Sequence, residues 1–109
     1  MPTIDLSGRR IDYTDRGRGE PVLMLHCSGA SGGQWRSLGD TLAPRMRVLA
    51  PDLHGYGRSE GWPGDPRDFG LAHEAQAVHA LLDLVAEPVH LVAHSYGGAV
   101  ALHVARLRP

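Results

Sequence analysis

The sequence predicts an α/β fold with a mainly parallel sheet, and three observations carry that prediction. Short apolar runs alternate with segments whose apolar residues recur every three or four positions. One run, Val22-Leu23-Met24-Leu25-His26, is continuous, as a strand covered on both faces requires. Another, Val89-His90-Leu91-Val92-Ala93-His94, passes straight into a helical segment at Ser95 with no linker between them.

In chain order, Thr3–Leu6 and Arg10–Thr14 alternate apolar with polar residues around a Ser7-Gly8 turn and predict a hairpin. The turn-rich segment Arg16–Pro21 leads into the strand 22–26. A glycine-rich loop from Cys27 to Gly33 follows, then a helix over Gln34–Ala43, spaced on Trp35, Leu38 and Leu42 and ended by Pro44. Met46–Ala50 is the next strand and Pro51–Ser59 the loop after it. Glu60–Gly70 contains Pro63, Pro66 and three glycines and reads as loop. Leu71, Ala75, Val78, Leu82 and Val85 form the apolar stripe of a helix, with Glu74, Gln76, His79 and Asp83 mostly off it. After Pro88 come the strand 89–94 and a helix over Tyr96–Leu107. The order β-β-β-α-β-α-β-α predicts one domain over residues 1–109, with a hairpin at one sheet edge and helices on both faces.

At 109 residues, 42% hydrophobic and 21% charged, the chain has the composition of a globular domain and of neither a disordered tail nor a coiled coil. Eleven basic against twelve acidic side chains give a net charge of -1 with no block of like charge. That balance lacks the footprint of a nucleic-acid or anionic-membrane binder, so a small-molecule partner is expected. Cys27 is the lone cysteine and has no partner for an internal disulfide. The opening Met1-Pro2-Thr3-Ile4-Asp5 has neither a charged nor an apolar leader segment, and no aliphatic run approaches the ~18 residues of a membrane span. The expected location is cytoplasmic. His54, His73, His79, His90 and His103 show neither HExxH nor carboxylate-paired spacing, so no metal or cofactor is expected.

The residues that carry chemistry are Ala93-His94-Ser95-Tyr96-Gly97-Gly98. A serine on a sharp strand-to-helix turn is pushed out at the carboxyl end of the sheet, beside the amide-rich start of a helix. Gly97 and Gly98 are both expected to let that helix run close to neighbouring strands. Two further segments stand ahead of it: Leu25-His26-Cys27-Ser28-Gly29 with Trp35 downstream, and Asp52-Leu53-His54-Gly55-Tyr56-Gly57-Arg58-Ser59. In this order the three segments resemble the α/β-hydrolase fold family over nearly the whole chain. Ala93 takes the first glycine position of G-x-S-x-G, and Cys27 stands where the family usually has glycine. If that backbone needs a positive φ, Cys27 costs about 1 kcal/mol.

The resemblance implies that Ser95 is a nucleophile and that the backbone amides of Tyr96 and Ser28 stabilise an oxyanion. His26, Cys27, Gly29, His94 and Gly97 would form the pocket and its loops, with His94 as pocket wall, His26 structural and Asp52 bracing its own loop. It implies cofactor-independent hydrolysis of an ester or related acyl bond, or of a carbon–carbon bond beside a ketone. Serine at 95 argues against the haloalkane dehalogenase and epoxide hydrolase branches, which carry aspartate there. In this family the triad acid and base follow the nucleophile, whereas residues 96–109 hold no acid and one histidine, His103, about 12 Å along the same helix. The expectation is therefore a fold whose later strands and cap are absent, inactive by itself. The family's strand order would leave 89–93 at an open edge and invite self-association there. Two other classes stay open: a non-catalytic remnant of the fold, and a nucleotide-binding module suggested by Gly29-Ala30-Ser31-Gly32-Gly33. The latter has neither a G-x-G-x-x-G pattern nor a lysine to reach a phosphate.

Overall fold

Five strands pair into one sheet in the computed structural model, which describes residues 2–62 and 64–108. Pro63, part of the loop expected over 60–70, lies outside the described residues. The strands are β1 (Thr3–Leu6), β2 (Arg9–Arg16), β3 (Glu20–Leu25), β4 (Met46–Pro51) and β5 (His90–Ala93), in the spatial order β1-β2-β4-β3-β5. The helices are α1 (Arg36–Leu42), α2 (Leu71–Val85) and α3 (Tyr96–Leu107). β1 and β2 form the expected hairpin, with Ile4 opposite Ile11, and β2 pairs antiparallel with β4. β4, β3 and β5 run parallel, with Val22 beside both Val48 and His90.

The pleat divides the core. Side chains alternate across a strand, so Leu23, Leu25 and Leu49 face α2 and α3, where they meet Ala75, Val78, Leu81, Val100 and Val104. Val22, Met24, Val48 and Ala50 face the other way, toward Trp35, Leu42 and Ala43 around α1. Helices thus cover both faces, as the continuous apolar run in β3 requires. Each fully buried leucine contributes about 1.5–3 kcal/mol.

This division follows from chain direction. From β3 the chain crosses through α1 to β4 on one side, then through α2 to β5 on the other side of β3. Right-handed crossovers in opposite directions lie on opposite faces. The loops leaving the carboxyl ends of β3 and β5 therefore part to opposite faces and open a crevice between them, the place where open α/β sheets bind ligands.

Several local readings need correction. The helix expected from Gln34 begins as a 3-10 turn over Gly32–Trp35, capped by Ser31 Oγ accepting from the Gly33 amide, and becomes α-helical at Arg36. His26 and His94 sit just past their strands, because the loop geometry begins at those residues. A 3-10 turn over Pro66–Asp68 interrupts the 60–70 loop. Leu71 is exposed, and Leu81, absent from the expected stripe, is fully buried. Cys27 is not among the positive-φ residues, so its β-carbon strains nothing. Gly97 packs as expected: a β-carbon there would collide with the backbone carbonyl oxygens of Leu25 and His26. Gly98 does not, since nothing among the described residues lies within 4 Å of a β-carbon built on it.

The two glycines therefore separate in a mutational test. Gly97→Ala is expected to destabilise the chain by about 1–3 kcal/mol, the cost of overpacking. Gly98→Ala is expected to be neutral or to stabilise by up to about 1 kcal/mol through helix propensity. Urea unfolding followed by far-ultraviolet circular dichroism reads both.

Candidate active site

Ser95 forms the corner between β5 and α3, at φ 55° and ψ -112°. A non-glycine residue at positive φ in so sparsely populated a region costs roughly 1–3 kcal/mol, so the surrounding packing has to enforce it. The enforcement comes from both sides. The His94 amide donates to the Leu25 carbonyl at 3.1 Å, continuing the β3–β5 ladder, and the first turn of α3 is pressed onto β3 at Gly97. A serine heading a helix ordinarily caps it with its hydroxyl. Here Ser95 makes no side-chain capping bond and is exposed, so its hydroxyl is left free of the helix it heads.

The loop after β3 reaches the same corner. Cys27 and Ala30 close a turn through a 3.2 Å bond from the Ala30 amide to the Cys27 carbonyl. Gly29, at φ 80°, sits at the third position of that turn, where positive φ favours glycine. Among the described residues neither the Ser28 nor the Tyr96 amide donates to a protein acceptor. The Cys27 amide donates to Gln34 Oε1 at 2.9 Å, and Gln34 Nε2 lies 2.9 Å from His94 Nδ1. Gln34 thus ties the loop after β3 to the residue preceding Ser95.

Buried polar side chains fix the neighbouring loops. His26, fully buried, donates from Nδ1 to the Cys27 carbonyl at 2.7 Å and accepts the Leu53 amide on Nε2 at 2.9 Å. It joins the loops after β3 and β4 and is not a pocket surface. Asp52 accepts from the amides of Gly32 at 2.7 Å and Arg58 at 3.0 Å, tying three stretches of chain. The loop so held presents Tyr56, whose hydroxyl lies 3.2 Å from Ser28 Oγ. The Tyr56 ring meets His26 edge-on at 5.2 Å and tilts toward Tyr96 at 6.4 Å.

One buried pair escaped the sequence reading. His54, expected without a carboxylate partner, lies 2.9 Å from Glu74, and both side chains are shut off from solvent, Glu74 completely. Arg9 Nε donates to His54 Nε2 at 3.3 Å, so that nitrogen holds a lone pair and the ring proton sits on Nδ1, donated to Glu74 Oε2. Glu74 Oε1 accepts the His54 amide at 3.0 Å. Arg9 also donates to Gln76 and stacks over Trp62 at 5.0 Å, which packs against Phe69 and His73. A carboxylate on the inner face of α2 survives only because these donors satisfy it. His90 likewise pairs with Glu20 at 3.0 Å, on the surface. Among the described residues no group of three His, Cys, Asp or Glu is placed to hold a metal ion, and no helix is long and apolar enough to cross a membrane.

An open α/β sheet with a positive-φ serine between a strand and its following helix, at the point where crossovers diverge, is the arrangement in which sheets of this class bind ligands outside the carboxyl ends of their strands. A family model described as the alpha/beta hydrolase fold matches residues 20–109, and the chain belongs to that family. It is 39% identical over 105 residues to a 2-hydroxy-6-oxo-6-phenylhexa-2,4-dienoate hydrolase of Burkholderia cepacia, covering 92% of this chain and 36% of that one. It is 38% identical over 109 residues to a 2-hydroxymuconate semialdehyde hydrolase of Pseudomonas sp. strain CF600, covering 94% and 37%. The crystal structure of an epoxide hydrolase from Vigna radiata superposes with a TM-score of 0.90 at 31% identity, over 99% of this chain and 35% of that one. The chain spans little more than a third of the length of these relatives.

Tyr96 gives the site a measurable titration. Burial first, then the charge of Glu74, then Tyr56, push its hydroxyl from 10.0 up to about 12. Because the folded state resists ionisation, the stability Tyr96 supplies is complete below pH 10 and is lost as pH rises from there toward 12. Tyr96→Phe is expected to flatten the alkaline fall of stability in that window, measured as urea midpoint against pH, and to leave neutral pH unchanged in slope.

Proposed function

We propose that this chain carries the nucleophile and oxyanion-binding part of a cofactor-independent serine hydrolase. The observation that carries the reading is the Ser95 backbone, held at positive φ with its hydroxyl unused for capping. In the proposed reaction Ser95 Oγ attacks a carbonyl carbon, its proton passes to water or an added base, which later returns a proton to the leaving group, and the carbonyl π pair moves onto oxygen. That oxyanion accepts from the Ser28 and Tyr96 amides, each such donor being worth roughly 2.7–4 kcal/mol in comparable sites. Collapse expels the leaving group, which takes a proton, and water then releases the acyl group from Ser95.

The relatives' names favour a particular bond. A 2-hydroxy-6-oxo-6-phenylhexa-2,4-dienoate contains a ketone and no ester or amide, so its hydrolysis has to break a carbon–carbon bond at a carbonyl. We carry that substrate class to this chain as first choice, with simple esters second; the same tetrahedral adduct serves both. Serine at 95 supports acyl chemistry over epoxide opening, so the likeness to an epoxide hydrolase is taken as one of fold.

Among the described residues Ser95 finds no base. His26 has both nitrogens engaged, His54 likewise, and His103 lies two turns along α3. Serine enzymes lacking triad members retain only about 10³–10⁴-fold acceleration over water. The chain is therefore expected to react slowly with a fluorophosphonate, faster on addition of imidazole as an external base, with the label on Ser95 by intact-mass and peptide analysis. Ser95→Ala is expected to abolish labelling. Label elsewhere, or labelling unchanged in Ser95→Ala, would overturn the assignment.

A further inference from the structure

We infer that His94 is a specificity residue: a hydrogen-bond donor of fixed tautomer beside Ser95, aimed at an oxygen acceptor on the acyl portion of the substrate. The inference rests on the reading of Ser95 as nucleophile for its position, and on the hydrogen bonds around Gln34 for its chemistry.

The Cys27 backbone N–H can only donate, so the Gln34 atom it meets at 2.9 Å is the amide oxygen. The other end of that amide is then NH₂, which also can only donate, and it meets His94 Nδ1 at 2.9 Å. Nδ1 must therefore hold a lone pair, which places the proton of the neutral ring on Nε2. Two consequences follow. His94 does not act as the base for Ser95, because Nδ1 is occupied by Gln34 and Nε2 already bears the proton. And His94, exposed and one residue before the nucleophile, offers a single N–H donor whose orientation is set from behind through Gln34 by a backbone amide.

A donor held in this way favours a substrate with a second oxygen near its reacting carbonyl. A ketone, enol or carboxylate oxygen on the acyl side fits; a plain alkyl acyl group offers that N–H no acceptor and leaves it to water. Gln34 is then a positioning residue, acting through His94.

The test uses the full 109-residue chain. Long-range ¹H–¹⁵N spectra of the imidazoles are expected to show His94 as the Nε2–H tautomer. In Gln34→Glu a carboxylate faces Nδ1, so that nitrogen is expected to become protonated. Benzoate, as the oxygen-acceptor probe, is expected to shift His94 Nε2 saturably and benzylamine, which lacks an oxygen acceptor, is not. Binding of benzoate should weaken about tenfold in His94→Phe and recover in His94→Gln, which restores an N–H donor. An Nδ1–H tautomer in the unsubstituted chain, or benzoate binding indifferent to His94→Phe, would overturn the inference. The tautomer is read without chemistry at Ser95, so a failed fluorophosphonate reaction leaves this result standing, and the converse holds.

Discussion

The close approach of α3 to β3 at Gly97 is the constraint on which the rest of the structure depends. A helix start that presses its backbone onto the carbonyls of Leu25 and His26 leaves no room for a gradual entry from β5. The chain has to turn within one residue, and Ser95 takes the strained positive-φ conformation that does so. That strain lifts a hydroxyl clear of the helix it heads. A more relaxed entry would restore the ordinary capping bond and remove the exposed hydroxyl together with the strain.

Around this corner the loops are held by buried polar groups more than by apolar packing. Asp52, His26 and the Arg9–His54–Glu74 chain each satisfy backbone amides or one another out of contact with water. Such groups are costly unless completely satisfied, and that requirement selects one loop geometry over its near neighbours. The outcome is a rigid frame behind Ser28, Tyr56 and Tyr96, with the exposed side chains of His94 and Ser95 at its front. The edge of β5 beyond them is open among the described residues, and Leu102 beside it is 75% exposed.

Much of the fold was legible because its signals are local. The continuous run in β3, the Ser7-Gly8 turn and the β5–Ser95–α3 junction each fall within a few residues, and each appears where periodicity puts it. Glu74 was misread although its spacing carried the answer: it lies four residues before Val78 and seven before Leu81, both fully buried on the face of α2 turned to the sheet. Its charge argued for the surface, but burial was decided by two donors twenty positions away, the backbone and ring N–H groups of His54. Gly98 failed for the opposite reason. Two adjacent glycines look alike in sequence, yet successive helix positions point about 100° apart, and only Gly97 meets the sheet. Gln34 gave no signal at all, because its part depends on two groups that meet only across the folded crevice.

The central claim concerns one backbone conformation and the amides around it, and an experimental crystal structure of the chain at atomic resolution measures both directly. The account predicts Ser95 at positive φ, its hydroxyl outside the helix, and the Ser28 and Tyr96 N–H groups converging on a common point within about 3 Å of each nitrogen. A Ser95 of ordinary helical φ, or a Ser28 amide turned away from that point, would contradict it.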